Sequence, residues 1–553
     1  MPRSPLWTAW RSCKAALRAA DPFDLGSYVL FGVVALLVVT TFGDYGVTWD
    51  EHFHIDYGDR ILAYFASGLS DRSALTYPGG QQPTYGGAFD LLGAVVRTHS
   101  PFDAFDTMHL VGGLVGIVGI VGAWKLGRLL MGPAGGFCSA LLLTITPAFY
   151  CTMFNNPKDP PFAVGYVWAL YGLCALAHEL PRPRLRRWVI AALCMGAAMC
   201  VRVAGIITIG YLVALVMAYA GLRGRAAGSL MTALRTLRSL LPKTLATCGA
   251  AWAVMIAPWP WAQQDPFQRP LAALSIVSDY NLFVDRRPFG EQIISTFAPP
   301  WDYLPRYFVL QLPEVVLVLV LVGAFWATYT LARRRASLGR MTEVSSFALL
   351  AAAIAVPPAY ALAQGSALYD GLRHFLFLTP PIAVAAGCTA VAVTRWLRLR
   401  RRSLAWLAPA TLGLASLHQA LLMSHLHPHE YVYFNWIAGG LPGALDRYDT
   451  DYYGSSYSEA FACLDRYLWQ HERNGYLHRT HRVSGCVADR AARHYLAPHF
   501  EWLGFSKRKE ADFFLAYRRN DCHRHGQGHP VVCRVERFGT VLAEVYDIRT
   551  SKR

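Results

Sequence analysis

Residues 25–51 read LGSYVLFGVVALLVVTTFGDYGVTWDE, and the first 19 of them carry no charged side chain. A hydrocarbon core of roughly 30 Å needs about 20 apolar residues in a helix, so this stretch predicts a transmembrane helix. Asp50 and Glu51 follow shortly after its exit and are therefore expected at a membrane surface. Because ionisable groups at such a boundary are costly to bury, they are often functional.

The rest of the chain repeats this apolar pattern. Hydrophobic residues make up 54% of the 553 residues, and the mean hydropathy is +0.27. Eleven apolar runs can be counted, near residues 26–44, 107–130, 134–152, 161–180, 188–202, 204–221, 244–262, 309–331, 343–363, 375–394 and 403–424. We therefore predict a mostly α-helical membrane protein with about 11 transmembrane helices. The fifth and sixth runs are short and barely separated, so they are the weakest of the set.

Basic residues mark alternate connections between these runs. The formal net charge is +16, and 24 of the 52 lysines and arginines lie in six clusters. The clusters are Arg3/Arg11/Lys14/Arg18, Lys125/Arg128, Arg182/Arg184/Arg186/Arg187, Arg223/Arg225/Arg235/Arg238/Lys243, Arg333/Arg334/Arg335/Arg340 and Arg395/Arg398/Arg400/Arg401/Arg402. Since basic loops stay on the cytoplasmic side, we predict a cytoplasmic N-terminus and a C-terminal region outside the membrane. Charge spread in this way indicates contact with membrane lipids and no nucleic-acid partner.

The first predicted outer loop, residues 45–106, contains two amphipathic segments. Residues 50–66 place apolar side chains at helical spacing, and Gly68 can end that helix. Residues 86–96 predict a second surface helix. We expect both helices to lie along the membrane interface.

The composition becomes that of a soluble protein after Leu426. We therefore predict a polytopic membrane domain at residues 1–425 and a soluble periplasmic domain at residues 426–553. The patterns in the second domain predict helices at 455–473 and 488–496, strands at 483–486 and 513–517, and a hairpin of 531–538 with 541–548. These elements favour a small α/β or α+β fold.

Four cysteines fall in this second domain: Cys463, Cys486, Cys522 and Cys533. On the oxidising side of a membrane they could form two disulfides. We favour Cys522 with Cys533, which would close a short loop, although connectivity cannot be read from a sequence.

Polar groups are predicted at several outer ends of the helices. They lie in the segments 155–161, 299–303, 369–374 and 427–431 and at Arg202. Acids, lysine and arginine at one membrane level suit a phosphate-bearing lipid. The cations would bind the phosphate, and a carboxylate would accept the proton of a hydroxyl group.

Three of these motifs carry a family resemblance. Thr48–Glu51, Asn156–Phe162 and Tyr369–Phe377 resemble segments of the dolichyl-phosphate-mannose protein mannosyltransferase and aminoarabinose transferase superfamily. The segments Pro299–Pro305 and His427–Asn435 are similar to those of bacterial members. The resemblance implies a multi-spanning glycosyltransferase of the bacterial inner membrane. Such an enzyme would move a sugar from a polyprenyl-phosphate donor to a hydroxyl group of a protein, lipid or glycan, with inversion.

The resemblance also implies roles for individual residues. The expected catalytic residues are Asp50 as the base, with Glu51 and Asp159, and the expected donor-phosphate ligands are Lys158, Arg373 and Arg202, with His374, His427 and Tyr369 as accessory residues. Each group also has a plainer interpretation. The acids and Lys158 could serve helix N-termini, and Arg373 could merely reach the lipid headgroups.

No cofactor is required for this chemistry. Asp50, Glu51 and His54 nevertheless offer oxygen and nitrogen ligands for a divalent metal, with Asp50 and His54 one helical turn apart. Two other classes of protein stay open. A transporter often shows repeated halves and polar groups near the midplane, and no internal repeat is visible here. A non-enzymatic protein could bind an envelope glycan through its C-terminal domain, but it would leave the gathered charges without a reason.

Overall fold

The computed structural model describes residues 21–77, 82–278, 285–333, 341–472 and 479–549. Its first half consists of helices α1 (Pro22–Thr41), α2 (Glu51–Ala66), α3 (Ala88–Arg97), α4 (Ala104–Met131), α5 (Pro133–Thr144), α6 (Pro147–Asn155), α7 (Asp159–Ala177), α8 (Leu185–Met199), α9 (Ile207–Ala226) and α10 (Leu230–Ile256). Several begin at residues suited to a helix start. The Asp21 carboxylate caps α1 by accepting from the Phe23 backbone N–H at 2.9 Å, and Asp103 does the same for α4.

The middle of the chain adds shorter elements and four long helices. These are α11 (Pro260–Gln263), α12 (Gln268–Ser278), strands β1 (Arg286–Phe289) and β2 (Gln292–Ser295), α13 (Tyr303–Gln311), α14 (Glu314–Arg333), α15 (Met341–Gln364), the 3₁₀ helix Arg373–Leu378, α16 (Thr379–Arg400), α17 (Leu407–Leu426) and α18 (Gly440–Ala444). The antiparallel hairpin β1–β2 was not predicted from the sequence.

The long apolar helices agree with a membrane protein. Among the described residues, seven helices are long and apolar enough to cross a bilayer, and α5 with α6, bent by 66°, would make an eighth span. Helices α8, α14 and α17 occupy the other three predicted runs but are shorter or more polar. The mostly α-helical membrane fold is therefore confirmed, whereas the count of 11 crossings stays a prediction.

The two helices predicted for residues 50–66 and 86–96 are present where the sequence places them. Helix α2 buries Tyr57, Ile61 and Tyr64 on one face, as its amphipathic pattern requires. Helix α3 packs across it so closely that a Cβ on Gly58 would lie 2.4 Å from the backbone oxygen of Asp90. The two helices therefore form a compact unit directly after Asp50.

The C-terminal region folds as a mixed sheet with helices. It comprises α19 (Tyr457–His471), β3 (His481–Gly485), α20 (Asp489–His494), β4 (Phe500–Trp502), β5 (Phe513–Tyr517), β6 (Val531–Arg537) and β7 (Thr540–Asp547). The strand order is β4-β3-β5-β7-β6; β3 runs parallel to β4 and β5, whereas β7 runs antiparallel to β5 and β6. The predicted small strand-containing domain is confirmed, with β4 as an additional strand.

Two hydrophobic cores divide the molecule. The larger core holds the long helices and continues through Tyr431–Phe434 to Tyr452 and Tyr453. The smaller core combines Val47 with C-terminal residues from Tyr457 onward and fills the space between the sheet and its helices. The segment between α17 and α19 therefore packs mainly with the membrane helices and carries the C-terminal sheet against their ends.

The disulfide pairing differs from the one favoured by the sequence. The bonds join Cys463 to Cys533 and Cys486 to Cys522, so Cys522 and Cys533 are not partners. The pairing follows the fold. Cys463 lies on α19, which packs on β6 and its Cys533, whereas Cys486 directly follows β3 and faces the turn after β5 that holds Cys522. Proximity along the chain was the wrong guide, because the sheet brings distant segments together.

Candidate functional site

Asp50 stands at the centre of a cluster of charged side chains. Although it precedes α2, its carboxylate makes no capping hydrogen bond to that helix. Instead the Asp50 carboxylate forms an ion pair with Lys158 Nζ at 3.0 Å and contacts the guanidinium of Arg373. Three segments that are more than one hundred residues apart thus meet at one carboxylate. The simple helix-cap interpretation of Asp50 does not describe this geometry.

Lys158 and Asp159 are fixed by the sharp turn between α6 and α7. The Asn156 side-chain oxygen accepts from the backbone N–H groups of Lys158 at 3.2 Å and Asp159 at 3.0 Å. Its amide nitrogen donates to Asp159 Oδ2 at 2.8 Å and to the Tyr453 hydroxyl at 2.6 Å. Pro160 and Pro161 follow Asp159 in the first turn of α7, where a missing backbone N–H costs no helical hydrogen bond. This turn therefore presents both charged side chains in a defined direction.

Two arginines join Asp159 to this cluster. Arg202, from the break between α8 and α9, pairs with Asp159 Oδ1. Arg373 approaches Asp159 Oδ2 with its Nε at 3.4 Å and stacks over the Tyr453 ring at 5.1 Å. The predicted residues Asp50, Lys158, Asp159, Arg202 and Arg373 consequently form one continuous ion-pair network.

The two acids of the network differ in accessibility. The Asp50 side chain keeps 27% of its exposure, whereas that of Asp159 keeps 2%. Only Asp50 is open enough to meet the hydroxyl group of an incoming molecule. Asp159, with three partners and little exposure, orients the cations instead.

Lys158 is a cation at neutral pH. Burial lowers the pKa of its amine, but Tyr85 and Asp159 raise it more, so that the net shift is upward. Its ammonium also lies 5.5 Å from the centre of the Tyr85 ring. The Lys158 amine is therefore already protonated and offers a positive charge beside Asp50.

Asp370 closes the network on the side of the C-terminal domain. Its oxygens pair with Arg373 Nη1 at 3.0 Å and with Arg519 Nη2 at 3.0 Å, and only 1% of its side chain is exposed. Burial raises the pKa of the Asp370 carboxyl, against the opposing effect of Arg519. The network thus joins the cations Lys158, Arg202, Arg373 and Arg519 to the carboxylates Asp50, Asp159 and Asp370, and Asp449 acts on Arg519 from the far side.

Glu51 does not face this network. It is buried and accepts from the Thr48 backbone N–H at 2.6 Å and from His109 Nε2 at 2.7 Å. Thr48 in turn donates its hydroxyl to the Asn155 carbonyl at 2.9 Å. Glu51 therefore fixes the loop that carries Asp50, whereas direct catalysis by Glu51 has no support from its contacts.

The three accessory residues fall in two places. Tyr369 and His374 flank the Asp370–Arg373 segment, with their rings edge to face at 4.4 Å. His427 lies elsewhere and pairs with Asp44 and Glu430, both at 3.0 Å. Burial lowers the pKa of His427, but the two carboxylates raise it more. It therefore ties the end of α17 to the exit of α1 and makes no described contact with the charged network.

The candidate metal ligands do not converge. Asp50 points to Lys158 and Arg373, Glu51 to His109, and His54 to Asp90 at 3.1 Å. Across the described ranges, no group of three His, Cys, Asp or Glu side chains is placed to hold a metal ion. Asp50, Glu51 and His54 thus do not fit a shared metal site.

A narrow cleft opens beside the network. It is lined by Asn156, Gln311, Arg373 and the four tyrosines Tyr431, Tyr433, Tyr452 and Tyr453, among others. The cleft brings aromatic rings and amide groups next to the guanidinium of Arg373. Its accessible volume is about 10 Å³, which is room for about one water molecule.

Sequence reasoning missed several members of this site. His109 had a visible signal, since an ionisable residue within an apolar helix is uncommon. Asp370 lies inside a motif that was noticed only for its neighbours. Arg519 and Tyr453 had no signal, because nothing in the pattern of the C-terminal region points back to the membrane helices.

Known proteins resemble this chain in part of its sequence and in its fold. Residues 103–257 match the family model of dolichyl-phosphate-mannose-protein mannosyltransferase. No curated protein sequence matches the chain. Among solved structures, the chain is similar to ArnT from Cupriavidus metallidurans bound to undecaprenyl phosphate, with 14% identity and a TM-score of 0.48 over 95% of this chain and 98% of that chain.

Two structures from Archaeoglobus fulgidus are similar to the same degree. One is the oligosaccharyltransferase in the apo form, with 14% identity and a TM-score of 0.48 over 86% of this chain and 64% of that chain. The other is the oligosaccharyltransferase AglB in complex with an inhibitory peptide and a dolichol-phosphate, with 13% identity and a TM-score of 0.48 over 90% of this chain and 69% of that chain.

The family match spans helices α4 to α10 and so includes Lys158, Asp159 and Arg202 of the charged network. The turn between α6 and α7, within this range, carries the motif Asn156–Phe162. Residues 103–257 therefore resemble the dolichyl-phosphate-mannose-protein mannosyltransferase family, as three of the sequence motifs predict.

Proposed function

We propose that this protein transfers a sugar from a polyprenyl-phosphate donor to an acceptor hydroxyl group at the outer face of the bacterial inner membrane. The observation that carries the proposal is the meeting of Asp50 with Lys158 at 3.0 Å and with Arg373. It puts a partly open carboxylate beside two cations. The acceptor itself is a protein, lipid or glycan of the cell envelope.

The two cations at Asp50 support a phosphate-linked donor. A sugar on a polyprenyl phosphate is a phosphodiester with a single negative charge, which Lys158 and Arg373 would bind. Lys158 and Arg373 would then exchange the Asp50 carboxylate for the donor phosphate. Donor binding would thereby free Asp50 to act as a base in the same step.

The reaction needs no nucleotide, because the lipid phosphate is already the leaving group. Asp50 accepts the proton of the acceptor hydroxyl group while the oxygen of that hydroxyl group attacks the anomeric carbon. The bond from that carbon to the phosphate oxygen breaks, and polyprenyl phosphate leaves with an additional negative charge. Lys158 and Arg373 stabilise this growing charge, and a direct in-line attack inverts the anomeric centre.

A reconstituted system separates this proposal from its alternatives. The purified protein in liposomes would receive lipid-linked sugars extracted from a bacterial envelope, and released polyprenyl phosphate would be followed by mass spectrometry. We expect release that depends on an acceptor fraction. Movement of the intact donor across the bilayer would instead indicate a transporter, and binding without release would indicate a non-enzymatic glycan-binding protein.

A further inference from the structure

Arg373 is held by a chain of contacts that starts outside the membrane helices. Asp370 lies between two guanidinium groups, Arg373 on one side and Arg519 on the other, each at 3.0 Å. Arg519 belongs to the C-terminal domain, in the turn Arg519–His525 after β5. Its other terminal nitrogen donates to the Tyr452 carbonyl. The C-terminal domain thus reaches a carboxylate that contacts a proposed phosphate ligand.

The turn that carries Arg519 is itself tied down from two sides. The disulfide between Cys486 and Cys522 anchors it to the end of β3. Arg287 of β1 donates to the Asn520 side-chain oxygen at 2.8 Å. Asn520 adopts a φ of 53°, a left-handed conformation that residues other than glycine rarely occupy. These contacts hold the turn that carries Arg519 against β1 and the end of β3.

Burial raises the pKa of the Asp370 carboxyl, and the charge of Arg519 opposes that rise. Asp370 has a φ of 57°, so its backbone is also in the left-handed region, and its side chain is almost fully buried. Removing one of two positive partners from a buried carboxylate leaves its charge undercompensated. Arg373 would then be drawn toward Asp370, or Asp370 would take up a proton and lose its ion pair with Arg373. Either change moves the guanidinium relative to Asp50 and Asp159.

We propose that Arg519 is a positioning residue by which the C-terminal domain sets, through Asp370, the orientation of Arg373 and hence the affinity for the donor phosphate. This inference rests on the proposed function of Arg373 as a phosphate ligand. It gives the C-terminal domain a part in donor binding, which its sequence alone does not indicate.

The test measures binding of undecaprenyl phosphate to the purified full-length protein and to six variants. Arg519→Ala removes the positioning contact, and Asp370→Asn interrupts the chain while keeping the side-chain shape. Arg373→Ala removes the phosphate ligand, and the double variant Arg519→Ala/Arg373→Ala tests coupling. Arg518→Ala is the matched control, because the adjacent arginine lies 4.0 Å from Asp446 and has no described contact with Asp370.

We expect Arg519→Ala and Asp370→Asn to weaken binding about tenfold, as for coupled charges in one network. Arg518→Ala should bind like the wild type, and the double variant should be no weaker than Arg373→Ala alone. If Arg519→Ala does not fold, Asp370→Asn and the partial rescue by Arg519→Lys carry the test.

Several outcomes would overturn the inference. Wild-type affinity in Arg519→Ala and Asp370→Asn, together with weak binding by Arg373→Ala, would remove Arg519 from the donor site and leave the proposed function intact. Fully additive losses in the double variant would show that Arg519 acts independently of Arg373. A wild-type protein that binds no undecaprenyl phosphate would instead overturn the proposed function, and the inference with it.

Discussion

Asp50 is the residue whose chemistry the proposed reaction depends on most. Its carboxylate is engaged by two cations and still keeps 27% of its side-chain exposure. Replacing it by asparagine keeps the shape and the hydrogen-bonding capacity but removes the basic oxygen. We expect Asp50→Asn to lower the turnover number by about 10²- to 10⁴-fold, the usual contribution of a general base. Release of polyprenyl phosphate from a lipid-linked sugar measures this change.

The control for this variant is Asp56→Asn on α2, the helix that follows Asp50. Asp56 pairs with Arg60 at 3.3 Å and lies outside the charged network. The Asp56→Asn protein should retain wild-type turnover.

Asp50→Asn should also change donor binding. Because Lys158 and Arg373 lose a competing carboxylate, this variant should bind undecaprenyl phosphate at least as tightly as the wild type. A fully active Asp50→Asn protein would assign the base to another residue.

Lys158 tests the other half of the reaction. A charge-assisted hydrogen bond contributes about 1.5–3 kcal/mol, so Lys158→Ala should weaken undecaprenyl phosphate binding by roughly 10- to 150-fold. Lys158→Arg keeps the charge and should lose less. Titration of the lipid against the purified protein measures both affinities.

Lys507→Ala, at an exposed position of the C-terminal domain, is the matched control for lost charge. Unchanged affinity in Lys158→Ala would return Lys158 to the plainer role of a helix-start residue.

The order of the motifs was enough to predict that these residues meet. Asp50, Lys158, Asp159, Arg202 and Arg373 all follow or precede apolar runs on one predicted side of a membrane, and the structure brings them within one network. Their individual roles stay predictions. The partners that hold them, Asn156 and Asp370, could not be assigned because a side-chain contact depends on packing that no local pattern encodes.

At the scale of elements, the loop before α2 is held on both sides. The Gly46 carbonyl accepts from the Asn155 side chain at 2.9 Å, and the Val47 N–H donates to the hydroxyl of Tyr495, which directly follows α20. A Cβ on Gly46 would lie 2.2 Å from the Ser455 backbone oxygen. The loop that leads to Asp50 is therefore wedged between the end of α6 and the start of the C-terminal domain.

Gly46→Ala should push this loop away from Ser455. Overpacking of this kind costs about 1–3 kcal/mol, so the melting temperature should fall, and turnover should fall with it because Asp50 moves. Thermal unfolding in detergent measures the first effect. Gly32→Ala, on the exposed side of α1 with nothing within 4 Å of the new methyl group, should not destabilise the protein. Equal stability of the two variants would contradict the close approach at Gly46.

Elements were predictable wherever a periodic apolar pattern extends over a full helix or strand. Helices α2, α3 and α19 and the β6–β7 hairpin lie within a few residues of their predicted bounds. Strand β4 was missed because Phe500–Trp502 is too short to show an alternation. The β1–β2 hairpin was missed for the same reason, since each of its strands has four residues.

At the scale of the whole molecule, the C-terminal domain docks on the segment after α17 through a polar network. Glu459 of α19 accepts from His429 Nε2 at 3.0 Å and from Arg537 of β6. Arg537 also donates to the His427 carbonyl at 2.8 Å. Burial raises the pKa of the Glu459 carboxyl, but its hydrogen bonds to His429 and Arg537 prevail and lower it to about 2. The docking therefore depends on an ionised Glu459.

Because of this lowered pKa, the contribution of Glu459 to the stability of the folded protein depends on pH. A carboxyl whose pKa is lower in the folded than in the unfolded protein stabilises the fold above its unfolded pKa of about 4.5, and this stability is lost as the pH falls toward 2. Glu459→Gln should therefore melt at a lower temperature than the wild type at pH 7, and the gap should narrow between about pH 4.5 and pH 2. Melting curves of both proteins across that range measure it. Glu501→Gln, an exposed carboxylate on β4, should give no gap at any pH. A gap for Glu459→Gln that stays constant down to pH 2 would show that Glu459 does not hold the domain through its charge.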